Sequence, residues 1–277
     1  MNIAAALQKR IEYVIIKQLN FLRKKYKIDN LCIAGGVGLN CSLNGKIVRS
    51  KIFKKVFVQP AAGDSGVAYG SCLVSTHKKI KLKSKENRNF YIGFREKNKN
   101  NIRKKISRSK FKFKDLGEKI YFKSAQLLAE GKILGWYQGA SEFGPRALGN
   151  RSILCKPYPE SMKDYINNKV KFREYFRPFA PAVLTEFKEK YFDLNQNSEH
   201  MLIACKAKSI AKKKIPATVH IDGTSRVQTV SKEVNKKFWR LIKEFNKITD
   251  IPVLLNTSFN VKGQPIVNDV DDALKCF

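Results

Sequence analysis

Apolar residues recur every three or four positions over residues 2–27: Ile3, Leu7, Ile11, Val14 or Ile15, Leu19 and Leu22. That spacing predicts one amphipathic helix. A short apolar strand is expected at 30–34. It runs into the loop Gly35-Gly-Val-Gly-Leu-Asn40 and then a helix through 48. A second strand at 55–58, a glycine loop at 60–66 and a small-residue helix at 67–74 complete an α/β alternation. The pattern then breaks. Residues 78–114 hold sixteen Lys or Arg and two Glu, interrupted by a candidate strand at 91–94 and a short basic helix at 98–109. Beyond it, periodicity returns: a helix at 120–130, a strand at 132–137, a helix at 161–169 with Ser161 as its N-cap, and a strand ending at 183. A strand–turn–strand is expected at 219–230. The helix at 235–249 carries Phe238, Leu241, Ile242 and Phe245 on one face, and a buried strand follows at 251–256. No internal repeat is present.

Length allows one large core or two smaller ones. The break divides the chain into a first domain at 1–77, a basic linker at 78–87 and a second domain at 88–277. No apolar run nears the roughly 18 residues that span a bilayer, and the N-terminus lacks a signal-peptide pattern. No membrane association is expected, and the cytoplasm is the expected compartment. Six scattered cysteines without a C-x-x-C pair read as buried thiols in a reducing compartment. The formal charge of +32 fits nucleic-acid binding, steering of an anionic substrate, or a lysine-biased surface. The third reading is favoured, because lysines are spread along the whole length and no nucleic-acid motif accompanies them. Nucleic acid is therefore not the expected partner.

Three constellations carry chemistry. The stretch EFGPRALGNRSIL, residues 142–154, puts Arg146 and Arg151 into a turn with Gly144, Pro145, Gly149 and Asn150. Glycines let backbone approach a ligand, and guanidinium forks bind phosphate bidentately. A basic surface loop with a tight turn is the alternative. The Gly35–Asn40 loop can cradle a phosphate on its backbone N–H groups, or serve only as a packing turn. Asp64, in a glycine-flanked loop at a helix mouth, either caps that helix or ligates a metal; the cap is favoured on sequence alone. Arg146, Arg151, Lys171, Arg173, Arg177 and Arg226 sit at or beside expected strand ends. If they converge, they hold a polyanion such as a nucleotide triphosphate. Asn256, Thr257, Ser258 and Asn260 add neutral donors at a strand end, where α/β ligand sites lie.

Together these segments resemble the NodU/CmcH-type O-carbamoyltransferase family. The resemblance is carried by LCIAGGVGLN at 31–40, QPAAGDSG at 59–66, residues 135–154, FRPFAP at 176–181, residues 220–230 and VLLNTSFN at 253–260. It implies a partial lobe of the actin and sugar-kinase superfamily followed by a YrdC-like twisted-sheet α/β domain. It implies formation of carbamoyl adenylate from carbamoyl phosphate and ATP with Mg²⁺, then transfer of the carbamoyl group to a small-molecule hydroxyl acceptor. Arg146, Lys171, Arg177 and Arg226 would be the reactive-site cations, with Ser258 and Asn256 beside them. Arg151 and Asn260 would add nucleotide contacts. Gly36 and Asn40 would hold the adenylate in the first lobe, and Asp64 would ligate iron(II). The chain departs from the family in beginning partway through its first domain, without the metal-binding histidines expected upstream. It also ends at Phe277, short of the usual end, and has Ala140 where the family usually has Arg. An N-terminal half encoded separately is the expectation this raises, and a homodimer is allowed. The alternatives are a non-catalytic RNA- or nucleotide-binding protein and a decayed fragment. The acceptor is left unnamed.

Overall fold

The computed structural model describes residues 2–80 and 90–277. From residue 81 on, the basic linker expected at 78–87 lies outside them. The chain forms two compact units, Met1–Lys85 with Leu202–Cys205, and Glu86–Met201 with Lys206–Phe277. Both are mixed α/β. Among the described residues no helix is long and apolar enough to cross a membrane.

In the first unit, strands β1 (Asn30–Ile33) and β2 (Lys55–Val58) pair in parallel, with Ile33 opposite Val58. The helix Cys41–Ser50 starts at Asn40, whose side-chain oxygen accepts from the Leu43 N–H at 3.0 Å. That bond satisfies one of the N–H groups left over at a helix start. Leu43, Ile47, Phe53, Val56, Val58, Leu19 and Leu202 form the core. This core is small. The helix Asn2–Tyr26 buries only Leu19, and the helix Ser65–Lys79 buries nothing. Ile3, Leu7, Phe21 and Val67 are each more than 60% exposed (87%, 69%, 63% and 65%).

The second unit is built on a five-stranded sheet of β3 (Leu134–Tyr137), β4 (Arg151–Cys155), β5 (Ala180–Leu184), β8 (Gln228–Val230) and β9 (Val253–Ser258), ordered β3-β4-β9-β5-β8. Strand β7 (Thr224–Arg226) is shorter, as is β6 (Ala204–Lys206), of which Ala204 and Cys205 count with the first unit. Only β5 and β8 run parallel; the other pairings in this sheet are antiparallel, placing Ser152 opposite Ser258 and Ala180 opposite Asn256. Helices Ile120–Ala129 and Lys236–Thr249 pack together. In the latter, Asn235 caps the Phe238 N–H, and Phe238, Leu241, Ile242 and Phe245 are wholly buried. Each such side chain contributes roughly 1.5–3 kcal/mol of burial.

Four sequence expectations need correction. Residues 91–94 form no strand, although Gly93 N–H donates to Ser141 O and Ser141 N–H to Phe94 O. Ser161 stands at its helix start without a side-chain capping bond. The helix expected at 161–169 is a short α-helix, Met162–Ile166, continuing as a π-helical turn, Asn167–Lys171. The first strand expected from 219 is instead a tight turn, closed by His220 N–H to Thr224 O at 2.7 Å, and the strand begins at Thr224.

Candidate active site

The arginine turn is organised from within. A single carboxylate oxygen, Oε1 of Glu142, accepts from the N–H groups of Leu148 (2.6 Å), Asn150 (2.8 Å) and Arg151 (3.3 Å). Gly149 has φ 104°, and a Cβ there would lie 2.2 Å from Phe238 Cδ1. The turn therefore needs glycine both for its conformation and for close packing on the helix beneath. Arg151 is wholly buried. Its Nε donates to Asn268 O (3.1 Å), Nη1 to Gln138 O (2.8 Å) and Asn150 O (2.9 Å), and Nη2 to Phe94 O (3.1 Å) and Gly139 O (3.3 Å). The guanidinium also stacks on Tyr137, 3.8 Å from the ring centroid. All the donors of an arginine are thereby used. Arg151 holds the turn's carbonyls together and offers nothing to a nucleotide, contrary to the sequence expectation. Arg146 is half-buried in the same turn.

At the far end of β9 the structure brings together three residues singled out in the sequence. Lys171, buried on the π-helical turn, donates from Nζ to Ser258 O (2.9 Å), Ser258 Oγ (3.1 Å), Asn260 O (2.8 Å) and Asn260 Oδ1 (2.7 Å). Ser258 Oγ donates to Asn260 Oδ1 at 2.6 Å, and Asn260 Nδ2 to Gln264 O at 2.7 Å. The extra residue of a π turn is a common device for re-aiming a functional side chain. Burial, reinforced by the Arg173 charge, pushes the Lys171 ammonium down to about 8, with Cys276 opposing. Arg173 lies over the Phe179 ring at 4.5 Å and donates from Nε to Asn167 Oδ1 at 2.8 Å. Burial and the Arg177 charge hold its pKa below the usual range, with Glu174 opposing. Asn167, itself buried, donates to Tyr175 O and Arg177 O, fixing the loop that carries Arg177. Arg177 is exposed and pairs with Glu174 at 2.8 Å.

Asn256 is separate from this knot. It is buried, and its Nδ2 donates to Ala147 O (3.2 Å) and Gln228 Oε1 (2.8 Å), while Gln228 Nε2 donates to Leu148 O (2.8 Å). Asn256 thus ties β9 to the arginine turn. Arg226, half-buried at the end of β7, acts electrostatically on His220. An open cavity of about 450 Å³ also lies in this unit, lined largely by apolar side chains including Ile102, Ile106, Val270 and Phe277. None of the arginines named above borders it.

In the first unit, Gly36 is exposed with open space around it, whereas Gly38 is buried and a Cβ there would meet Ala62 Cβ at 3.0 Å. Gly35 supplies the positive φ of 96°. Asn40 is engaged as a helix cap, and its Nδ2 donates to Gln8 Oε1 at 2.8 Å. Asp64 is exposed at a helix start and makes no capping bond, which corrects the cap favoured from sequence. Among the described residues no group of three or more His, Cys, Asp or Glu converges as a metal site. One carboxylate does not make an iron site, and no chemical step is assigned to a metal here. Sequence reasoning missed Glu142, Asn167, Gln228 and His220. Only Glu142 carried a signal, as an acid beside a turn rich in potential N–H donors.

The second unit thus holds buried cations and amides on a mixed α/β scaffold, side chains whose chemistry suits anions. Residues 1–73 match the family model described as carbamoyltransferase N-terminus, and residues 125–277 the one described as carbamoyltransferase C-terminus. The chain belongs to the carbamoyltransferase family. It is similar to nodulation protein NolO of Bradyrhizobium diazoefficiens, 39% identical over 281 residues that cover all of this chain and 51% of that one. It is also similar to nodulation protein U of Azorhizobium caulinodans, 36% identical over 249 residues, 88% of this chain and 42% of that one. The chain spans about half the length of the curated relatives it matches, and in each the matching region is part of a single longer chain. These relatives give no support to a separately encoded half. Among solved structures it is similar to HypF of T. kodakarensis (19% identity, TM-score 0.42, 58% of this chain and 20% of that). Sua5 of P. abyssi gives 12% identity, TM-score 0.41, 59% of this chain and 45% of that. Scores this low establish no shared architecture.

Proposed function

We propose that the second unit forms carbamoyl adenylate from carbamoyl phosphate and ATP, and that the carbamoyl group then passes to the hydroxyl of a small-molecule acceptor. The observation that carries this reading is the Lys171–Ser258–Asn260 knot flanked by Arg173 and Arg177, in a chain matched by both carbamoyltransferase models. The atoms balance with one water. Water releases inorganic phosphate from carbamoyl phosphate, a carbamate oxygen attacks the α-phosphorus of ATP, and pyrophosphate leaves. Carbamoyl phosphate, carbamate and ATP are all anions, so the demand on the protein is charge neutralisation and alignment rather than a nucleophile. Arg146, Arg177 and Arg226 take that role through charge-assisted bonds of roughly 1.5–3 kcal/mol each, and Lys171, whose Nζ protons are held by Ser258 and Asn260, takes it through its charge. Asn260 and Ser258 orient the Lys171 ammonium, and Asn256 holds the sheet to the turn that presents Arg146. Mg²⁺ would enter with the nucleotide. Transfer to the acceptor is proposed to require a further lobe with the iron(II) ligands, because among the described residues Asp64 stands without a converging group of His, Cys, Asp or Glu and Ile3, Leu7 and Phe21 are exposed. Gly36 and Asn40 would face the adenylate in that assembled lobe.

Mass spectrometry of a quenched mixture of the protein, ATP, Mg²⁺ and carbamoyl phosphate tests this directly. A carbamoyl adenylate peak is expected; its absence from a protein that binds ATP would overturn the proposal. The alternative kept from the sequence is RNA binding without turnover, which a net charge of +32 would serve. That reading predicts RNA affinity falling steeply with salt and no adenylate.

A further inference from the structure

Two residues before β7, the chain sets up a relay that the reaction proposed above does not use. Thr224 Oγ1 donates its single proton to Asp222 Oδ1 at 2.7 Å, and the Thr224 N–H donates to the same oxygen at 2.9 Å. The hydroxyl can therefore only accept from His220 Nδ1, which lies 3.2 Å away. That fixes the imidazole as the Nδ1–H tautomer and leaves Nε2 as a bare acceptor. Nε2 is buried and has no hydrogen-bond partner in the protein. An unmet buried acceptor costs about 1–3 kcal/mol and calls for a partner. Ile221, next to it in the turn, is wholly exposed, and Gly223 supplies the positive φ of 75° that closes the turn. Burial and the Arg226 charge hold His220 at about 4, against the opposing pull of Asp222. Near pH 7 the ring is thus neutral and can only accept at Nε2.

We propose that His220 is the residue by which this site reads the amino group of the carbamoyl donor: its bare Nε2 accepts a hydrogen bond from the donor N–H, while Arg226 holds the adjoining oxygens. The inference rests on the carbamoyl-adenylate reading and adds the specificity element to it. A carbamoyl group presents N–H where an acetyl group presents a methyl. A site built to meet a hydrogen bond rejects an analogue that lacks it far more strongly than an apolar pocket can. Asp222 and Thr224 are positioning residues that act through the imidazole.

The test compares pyrophosphate release by the full chain with carbamoyl phosphate and with acetyl phosphate. Wild type is expected to favour carbamoyl phosphate. His220→Phe and Thr224→Val should each cut that preference by about 10- to 100-fold, the equivalent of one buried hydrogen bond, with Thr224→Ser restoring it. Unchanged preference in His220→Phe overturns the inference while leaving adenylate formation standing. A second readout is independent of turnover. In ¹⁵N spectra of the wild-type chain, His220 should report the Nδ1–H tautomer, and its Nε2 resonance should move on adding carbamoyl phosphate but not acetyl phosphate. A Nε2–H tautomer, or equal response to both, refutes the assignment even in a preparation that releases no pyrophosphate.

Discussion

Replacing Arg151 separates a scaffold role from a ligand role. Its guanidinium is wholly buried, spends every donor on backbone carbonyls from four segments of the chain, and stacks on Tyr137. Arg151→Met takes the guanidinium donor from the carbonyls of Asn268, Gln138, Gly139 and Phe94 together, although Phe94 O keeps the Ser141 N–H. Each bond to a charged donor contributes roughly 1.5–3 kcal/mol, but neighbouring bonds do not add, and losing the buried charge removes its desolvation cost. A net loss of about 3–5 kcal/mol is expected, the range for breaking a buried charged network. Lysine cannot reproduce the planar fork, so Arg151→Lys should lose about 2 kcal/mol or more. The assay is urea unfolding followed by circular dichroism. At a slope of about 2 kcal/mol per molar urea, Arg151→Met should lower the midpoint by about 1.5–2.5 M. If Arg151→Lys matched wild type in stability while losing ATP affinity, the scaffold assignment would be wrong and the residue would belong to the ligand.

Further outcomes follow from the same contacts. Lys171 has a native pKa of about 8, below the ordinary lysine value, so between pH 8 and about 10 the unfolded chain binds more protons and stability should rise with pH. The gain from pH 8 to 9.5 is about 2 kcal/mol, read as a urea midpoint shift absent from Lys171→Met; over the same window anion capture should weaken as the ammonium is lost. Gly149→Ala forces a Cβ to 2.2 Å from Phe238 at φ 104°, and thermal unfolding should show a loss of about 2–4 kcal/mol. Glu142→Ala leaves the N–H groups of Leu148, Asn150 and Arg151 without their acceptor, a cost of about 2–3 kcal/mol measured by urea unfolding. Glu142→Gln, which retains an acceptor oxygen, should lose less.

Elements with strong periodicity were legible in the sequence. The helix Lys236–Thr249 has its apolar residues at helical spacing and a capping asparagine, and the four on its inner face, Phe238, Leu241, Ile242 and Phe245, are buried. Strand β2 occupies the predicted residues for the same reason. Where tertiary bonds decide the backbone, prediction failed. Residues 219–223 are apolar and β-branched enough to suggest a strand, but the Asp222 and Thr224 side chains bend them into a turn. The helix beyond Ile166 widens into a π turn that delivers Lys171 to acceptors 87 and 89 residues away. The role of Arg151 was illegible because an arginine in a glycine turn looks the same whether its fork meets a phosphate or carbonyls. The distance from Ser258 to Lys171 is likewise a property of the sheet, not of any local motif.

Pyrophosphate release by the purified chain with ATP and Mg²⁺, with and without carbamoyl phosphate, tests the central claim most directly. The account predicts release that requires carbamoyl phosphate, one inorganic phosphate for each pyrophosphate, and loss of both in Arg146→Ala with the fold intact. Release that ignores carbamoyl phosphate, or persists undiminished in Arg146→Ala, would contradict it.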